Sequence, residues 1–362
     1  MSWRPGPSAL RTELADAHAY RVPEETIAVR LDANESPFPL PQEARVRLGE
    51  VVSSMDLHRY PEIAASALRD ALCRRFGARK DELVLGVGSD EAIVFLASAL
   101  SRPRRDHARA TVVLPSPTFS MYGASAKLAG LEVVQVPYAE GFVLDVPAML
   151  AAIEATAASL AFIATPNNPT GNAQSDVLLE QLISGAPDTL IVIDEAYAAY
   201  RGRDHRAWLD RFANVALLGT LSKIGMAALR VGWVRARPEL AAELEKVRLP
   251  YNLALPSQAL ATCLLTELEA TIDGQIEVVK AERARVMPLL GVLGVPPYPT
   301  DANFALCECD SPERALMLYR GLLDRGVRVR SFATTPVLAS KLRITFGTPD
   351  ENDQLLAALS TL

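Results

Sequence analysis

Cysteine is sparse: Cys73, Cys263, Cys307 and Cys309 are the only four in 362 residues. They form no disulfide ladder, and Cys307 and Cys309 stand too close together for the usual zinc spacing, with no matching pair elsewhere. No metal site is expected, and the four read as plain thiols of a reducing compartment. Long apolar runs are also missing. No stretch approaches the roughly 20 residues that span a bilayer, and the opening MSWRPGPSALRTELADAH lacks the apolar core of a signal peptide. A soluble, cytoplasmic protein with no membrane partner is expected. Nor is there an excess of positive charge: a net charge of −6, with both signs well mixed, argues against nucleic acid as a partner. Internal repeats and low-complexity tracts are absent too.

What the chain has is apolar material, 49% of its residues, and a length that suits two domains rather than one. Short β-rich runs occur at 83–85, 110–114, 131–136, 160–164, 190–193, 215–218 and 231–234. Several are continuously apolar, as strands buried on both faces are. Helical patterns such as 91–100 and 177–183 fall between them, which predicts an α/β domain with a mainly parallel sheet. After about residue 255 the pattern changes to one long helical segment (257–290) followed by strands near 302–307, 327–330 and 342–346, a smaller α+β domain. The expected division is an N-terminal arm over 1–45, which returns to the small domain, a large domain over 46–255 and a small one over 256–362.

Polar residues collect at the carboxyl ends of the predicted strands, where open α/β sheets bind ligands. Lys223 follows one strand, with Ser222 beside it and Arg230 seven residues on. A lysine so placed can form a Schiff base with an aldehyde, while Ser222 and Arg230 can hold a phosphate. An aldehyde and a phosphate on one small molecule describe pyridoxal 5′-phosphate. Gly88-Ser89-Asp90 reads as a helix N-terminus with Ser or Asp as its cap; it could be an ordinary capped helix, but beside Ser222 and Arg230 it becomes an anion site. Asp194 ends an apolar strand, where a protonated pyridine nitrogen would be a fitting partner for a costly buried carboxylate; a helix cap or salt bridge is the alternative. Asn168 and Tyr197 could hydrogen-bond a phenolate oxygen, and Phe119 offers a face for stacking, or is a core residue. Arg343 interrupts an apolar strand and could capture a carboxylate bidentately or form a structural ion pair. Arg328 and Arg330 share a strand face, and either could supply a second anion site.

This constellation resembles the fold-type I aminotransferases, in particular the histidinol-phosphate aminotransferases. The resemblance runs from Leu31-Asp32-Ala33-Asn34-Glu35-Ser36-Pro37 through Arg59-Tyr60-Pro61-Glu62, 167–171, 194–197 and 222–230 to 342–347, with motifs in the same order. It implies that Lys223 carries the cofactor, that Asp194 pairs with its ring nitrogen, that Asn168 and Tyr197 face its phenolate oxygen, and that Phe119 stacks on it, where tyrosine is common. It gives the cofactor phosphate Ser89, Asp90, Ser222 and Arg230, with Tyr60 reaching in from the other subunit of a homodimer. Arg343 would bind the substrate carboxylate or its equivalent, and Tyr20, Asn34 and Arg330 would surround the substrate, Arg330 at its phosphate. Two departures stand out. Ala19-Tyr20 replaces the usual Pro-Tyr, and Ala228 replaces a glycine in the turn before Arg230, a methyl that the site is expected to accommodate.

The reaction so implied is reversible transamination, with glutamate and 2-oxoglutarate as one pair and histidinol phosphate and imidazole-acetol phosphate as the other. An aromatic or broad-specificity aminotransferase, or a threonine-phosphate decarboxylase, would use the same scaffold. A non-catalytic effector-binding domain is opposed by the intact Lys223 and by the lack of a DNA-binding helix pair before residue 31.

Overall fold

The computed structural model describes residues 27–362. Eleven strands form among them: β1 (Val29–Leu31), β2 (Leu83–Val87), β3 (Thr111–Ser116), β4 (Glu132–Pro137), β5 (Leu160–Ala164), β6 (Leu190–Asp194), β7 (Val215–Thr220), β8 (Val231–Ala236), β9 (Phe304–Glu308), β10 (Val327–Ser331) and β11 (Lys341–Thr345). Seven make one sheet in the order β2-β8-β7-β6-β5-β3-β4. All pairings among β3 to β7 are parallel, and only β8 runs antiparallel to both its neighbours. Helices cover both faces, so the central runs Leu160–Ala164 and Leu190–Asp194 are buried along their whole length. This is the expected α/β architecture with a mainly parallel sheet.

The second sheet has the order β1-β10-β11-β9. β1 pairs parallel to β10, and β11 pairs antiparallel to both β10 and β9. Residues 29–31 thus join strands from the far end of the chain. One apolar core runs without interruption from Leu68 and Leu85 through Trp233, Ile276 and Leu290 to Phe346 and Leu355, and so links the two sheets.

The long helix expected over 257–290 is two, Leu255–Glu267 and Glu269–Val292, broken at Leu268 (φ −122°, ψ 18°). Thr262 and Thr266 donate their hydroxyls back to the carbonyls of Gln258 and Thr262, four residues earlier, a bond that bends helices just before the break. Among the described residues no helix is long and apolar enough to cross a membrane, and no cluster of histidine, cysteine and carboxylate side chains could hold a metal ion. All four cysteines are free thiols; Cys263, Cys307 and Cys309 are buried and Cys73 is half-buried.

Candidate active site

The strand registers bring the predicted polar residues to one edge of the large sheet. Ala164 stands opposite Asp194, Asp194 opposite Leu218, Thr220 opposite Gly232, and Val87 opposite Val231. The carboxyl ends of β2, β5, β6 and β7 and the start of β8 therefore line up, and the segments that follow them share one rim.

At one end of this rim is an anion cradle. Helix Gly88–Ala99 starts directly from β2. Contrary to expectation, neither Ser89 nor Asp90 caps it: the cap position is Val87, which makes no side-chain cap bond, and Glu91 Oε2 accepts instead from the Val87 N–H at 2.7 Å. Ser89 and Asp90 occupy the first turn, whose N–H groups have no partner inside the helix and so suit an anion. Arg230 donates to Ser222 Oγ at 3.2 Å and pairs with Asp90 Oδ2 at 3.2 Å. Ser222 Oγ, accepting from Arg230, keeps its own proton to donate. The Asp90 carboxylate would repel a phosphate, so Asp90 can serve one only through its backbone N–H and by holding Arg230. Two glycines make the approach possible. A Cβ on Gly88 (φ +73°) would run into the Arg230 guanidinium, and one on Gly232 would strike the backbone of Gly88 and Ser89. Ala228 lies in a 3₁₀ turn with its side chain exposed, so the extra methyl is carried without a clash.

Lys223 sits in the π-turn Ser222–Met226; its carbonyl accepts from Tyr200 Oη at 2.7 Å, and its Nζ lies 5.9 Å from the centre of the Tyr197 ring. Asp194 is 5% exposed. Its Oδ1 accepts from the Ala196 N–H at 2.9 Å and its Oδ2 from Tyr122 Oη at 2.6 Å. Burial raises the carboxyl above the usual aspartate range, and these two hydrogen bonds oppose that rise. Among the described residues no cation pairs with it. Neither the salt bridge nor the helix cap considered as alternatives is present, and a buried carboxylate with only uncharged donors suits a cationic ring nitrogen. Phe119 immediately precedes helix Ser120–Leu128, edge-on to Tyr122.

The small sheet closes the other side. Arg343 donates to Asn168 Oδ1 at 2.6 Å and to the Asp32 carbonyl, with its guanidinium 5.3 Å from the Phe304 ring centre. Arg330 stands directly opposite Arg343 across β10 and β11 and is exposed, whereas Arg328 is buried. Asn34 is buried in the left-handed region (φ 55°) that asparagine tolerates. Its amide donates to Tyr197 Oη at 2.9 Å, and its own position is fixed by Thr345 Oγ1 at 3.1 Å. Because Tyr197 Oη accepts there, its proton is left to donate elsewhere. Asn34 is thus in contact with Tyr197, a role that its grouping with the substrate residues did not suggest.

Tyr60 is 81% exposed and stacks on Tyr251, ring centres 4.6 Å apart. Leu57, Ile63 and Leu249 on the same two segments are exposed as well. Tyr20 lies outside the described residues. Sequence reasoning missed Tyr122, Thr345 and Gly232. A signal for Tyr122 was present: it follows Phe119 by three residues, one helical turn on.

An anion cradle, a lysine, and an unpaired carboxylate on one rim fit pyridoxal 5′-phosphate in its phosphate, aldehyde and ring nitrogen, respectively. Comparison with known proteins agrees. The family "Aminotransferase class I and II" matches residues 26–359. Histidinol-phosphate aminotransferase 1 of Burkholderia lata is 39% identical over 356 residues, which covers 97% of this chain and 96% of the relative. The histidinol-phosphate aminotransferase of Aquifex aeolicus is 37% identical, with 96% of each covered. Among solved structures, the fold is shared with a histidinol-phosphate aminotransferase from Sinorhizobium meliloti in complex with pyridoxal-5′-phosphate (TM-score 0.85, 24% identity, 97% and 96% covered). It is shared too with a Thermus thermophilus aspartate aminotransferase variant (TM-score 0.78, 24% identity, 92% and 91% covered).

Proposed function

This chain belongs to the class I and II aminotransferases, and from that premise we propose that it moves an amino group between L-histidinol phosphate and 2-oxoglutarate, giving imidazole-acetol phosphate and glutamate as a step of histidine biosynthesis. The observation that carries the substrate is the facing pair Arg330 and Arg343 on the small sheet. Two arginines at directly paired positions suit a phosphate on one substrate and carboxylates on the other. The exposed Arg330, rather than the buried Arg328, is the one able to meet an incoming phosphate.

Bound pyridoxal phosphate supplies an aldehyde that links to amino groups and a ring that accepts an electron pair. Ser222, Arg230 and the N–H groups of Ser89 and Asp90 hold its phosphate, Phe119 packs against its ring, and Lys223 anchors its aldehyde. Asn168 and Tyr197 face its phenolate oxygen, Tyr197 through the proton that Asn34 leaves free. Arg343 orients the substrate so that its reacting C–H bond lies within reach of Lys223 Nζ, which then takes that proton and returns it. Asn34 belongs to the substrate surround through its contact with Tyr197.

Tyr60, exposed with a group of apolar neighbours, supports a homodimer in which it reaches the partner's cofactor phosphate. The division into an arm over 1–45 and domains over 46–255 and 256–362 belongs to the same proposal, supported by the two separate sheets. So does a cytoplasmic location, which four free thiols suit.

The test is single turnover of the cofactor-loaded enzyme with histidinol phosphate, phenylalanine and threonine phosphate. Fastest amino transfer from histidinol phosphate is expected. Preference for phenylalanine would move the assignment to an aromatic aminotransferase, and carbon dioxide release from threonine phosphate to a decarboxylase.

A further inference from the structure

Tyr122 has a placement that packing alone does not explain. It is 0% exposed, lies parallel to the Phe162 ring (centres 4.7 Å apart, 3° between planes) and meets Phe119 edge-on at 5.5 Å. A phenylalanine would satisfy those contacts. The hydroxyl instead reaches Asp194 Oδ2 at 2.6 Å, a short bond of the kind that charged acceptors make. Burying a hydroxyl costs free energy unless it is paired, so its retention calls for a task at its partner. The carboxylate receives one other hydrogen bond, from the Ala196 N–H two residues beyond the end of β6 to Oδ1. The remaining charged groups work against it: Glu195 on its own strand end and Asp90 at the start of helix Gly88–Ala99 both disfavour its negative charge, as does burial. Tyr138 and Tyr197 also face Tyr122, and Tyr122 keeps its proton firmly, because burial and the adjacent Asp194 push its ionisation well above the usual tyrosine range.

We propose that Tyr122 is a positioning residue for the cofactor ring: its hydroxyl fixes the Asp194 carboxylate in one orientation and supplies the hydrogen bond that its buried charge requires, so that the remaining lone pairs await a protonated ring nitrogen. This rests on the reading of Asp194 as the ring-nitrogen partner. The task is selective by nature. A hydroxyl that serves the Asp194 charge matters for a ligand with a cationic ring N–H and is indifferent to one without it.

Equilibrium binding to the apoenzyme tests this with two probes, pyridoxal phosphate and its isostere carrying C–H in place of the ring nitrogen. They are measured on the native chain, Tyr122→Phe, Asp194→Ala and the double variant. Tyr122→Phe is expected to weaken pyridoxal phosphate about ten- to a hundredfold, the worth of a hydrogen bond to a charged group, and to leave the isostere within about twofold. In the Asp194→Ala background the same change should have little effect on either probe. Equal losses for both probes from Tyr122→Phe would reduce Tyr122 to a packing residue and overturn the proposal, while selectivity of Asp194→Ala for pyridoxal phosphate would leave the Asp194 reading standing. If Asp194→Ala itself fails to distinguish the probes, that reading falls and the proposal with it.

Discussion

At the scale of single residues, the site works by deciding which atoms are left free. Ser222 Oγ accepts from Arg230 and Thr220 Oγ1, and Tyr197 Oη accepts from Asn34, so each hydroxyl keeps its own proton to donate. Asn34→Ala should lower kcat about tenfold by releasing the Tyr197 hydroxyl, with a smaller effect on KM, the pattern of a lost transition-state contact. Lys223→Ala should abolish amino transfer and remove the visible absorption band of the loaded protein; a band that survives would refute the role of Lys223. Arg330→Ala should weaken phosphorylated substrates about ten- to a hundredfold while barely changing phenylalanine, and steady-state kinetics on both substrates would tell. Most of these residues were legible because their chemistry is unusual for its surroundings, such as Asp194 at the end of an apolar run. Tyr122 was missed despite its spacing from Phe119, because a helical tyrosine reads as core until its hydroxyl is seen to have a partner.

Elements were legible where the apolar pattern is continuous. β5 was read to its exact ends and β6 to within one residue, since a strand buried on both faces has no polar interruption to blur it. The break at Leu268 was hidden because threonine back-bonding is a geometric event within an apolar helix pattern. The antiparallel course of β8 was equally invisible, as direction leaves no mark on composition. Contact between β8 and the cradle yields a prediction: Gly232→Ala should destabilise the fold by about 1–3 kcal/mol and weaken cofactor retention, read by thermal melts with and without pyridoxal phosphate. The small sheet has its own pH signature. Burial alone would raise Glu308 on β9, but Lys341, Ser340 and Tyr298 hold it down to about 2 from the usual 4.5. A carboxyl depressed in the folded state contributes stability above its unfolded value and loses it as the pH falls, here between about 4.5 and 2. Glu308→Gln should flatten the acid limb of the stability curve over that window.

Among the described residues one apolar core links the two sheets while separate cores fill the faces of the large one, and the rim takes contacts from both sheets. A homodimer with Tyr60 in the partner's site predicts complementation. Mixing Lys223→Ala with Tyr60→Ala chains under exchange gives hybrids in which one site has both defects and the other has none. With half the population hybrid, recovery of about a quarter of native activity is expected; no gain over the separate variants would show that each chain completes its own site.

The reversal of β8 has one more consequence. Because the chain turns straight back after β7, Lys223 and Arg230 lie on a single short connection, seven residues apart. That connection is a ruler. It sets the span between the point where the ligand's aldehyde is gripped and the point where Ser222 and Arg230 tie its phosphate. The length a ligand must have is therefore written into one stretch of local backbone, within a single sheet.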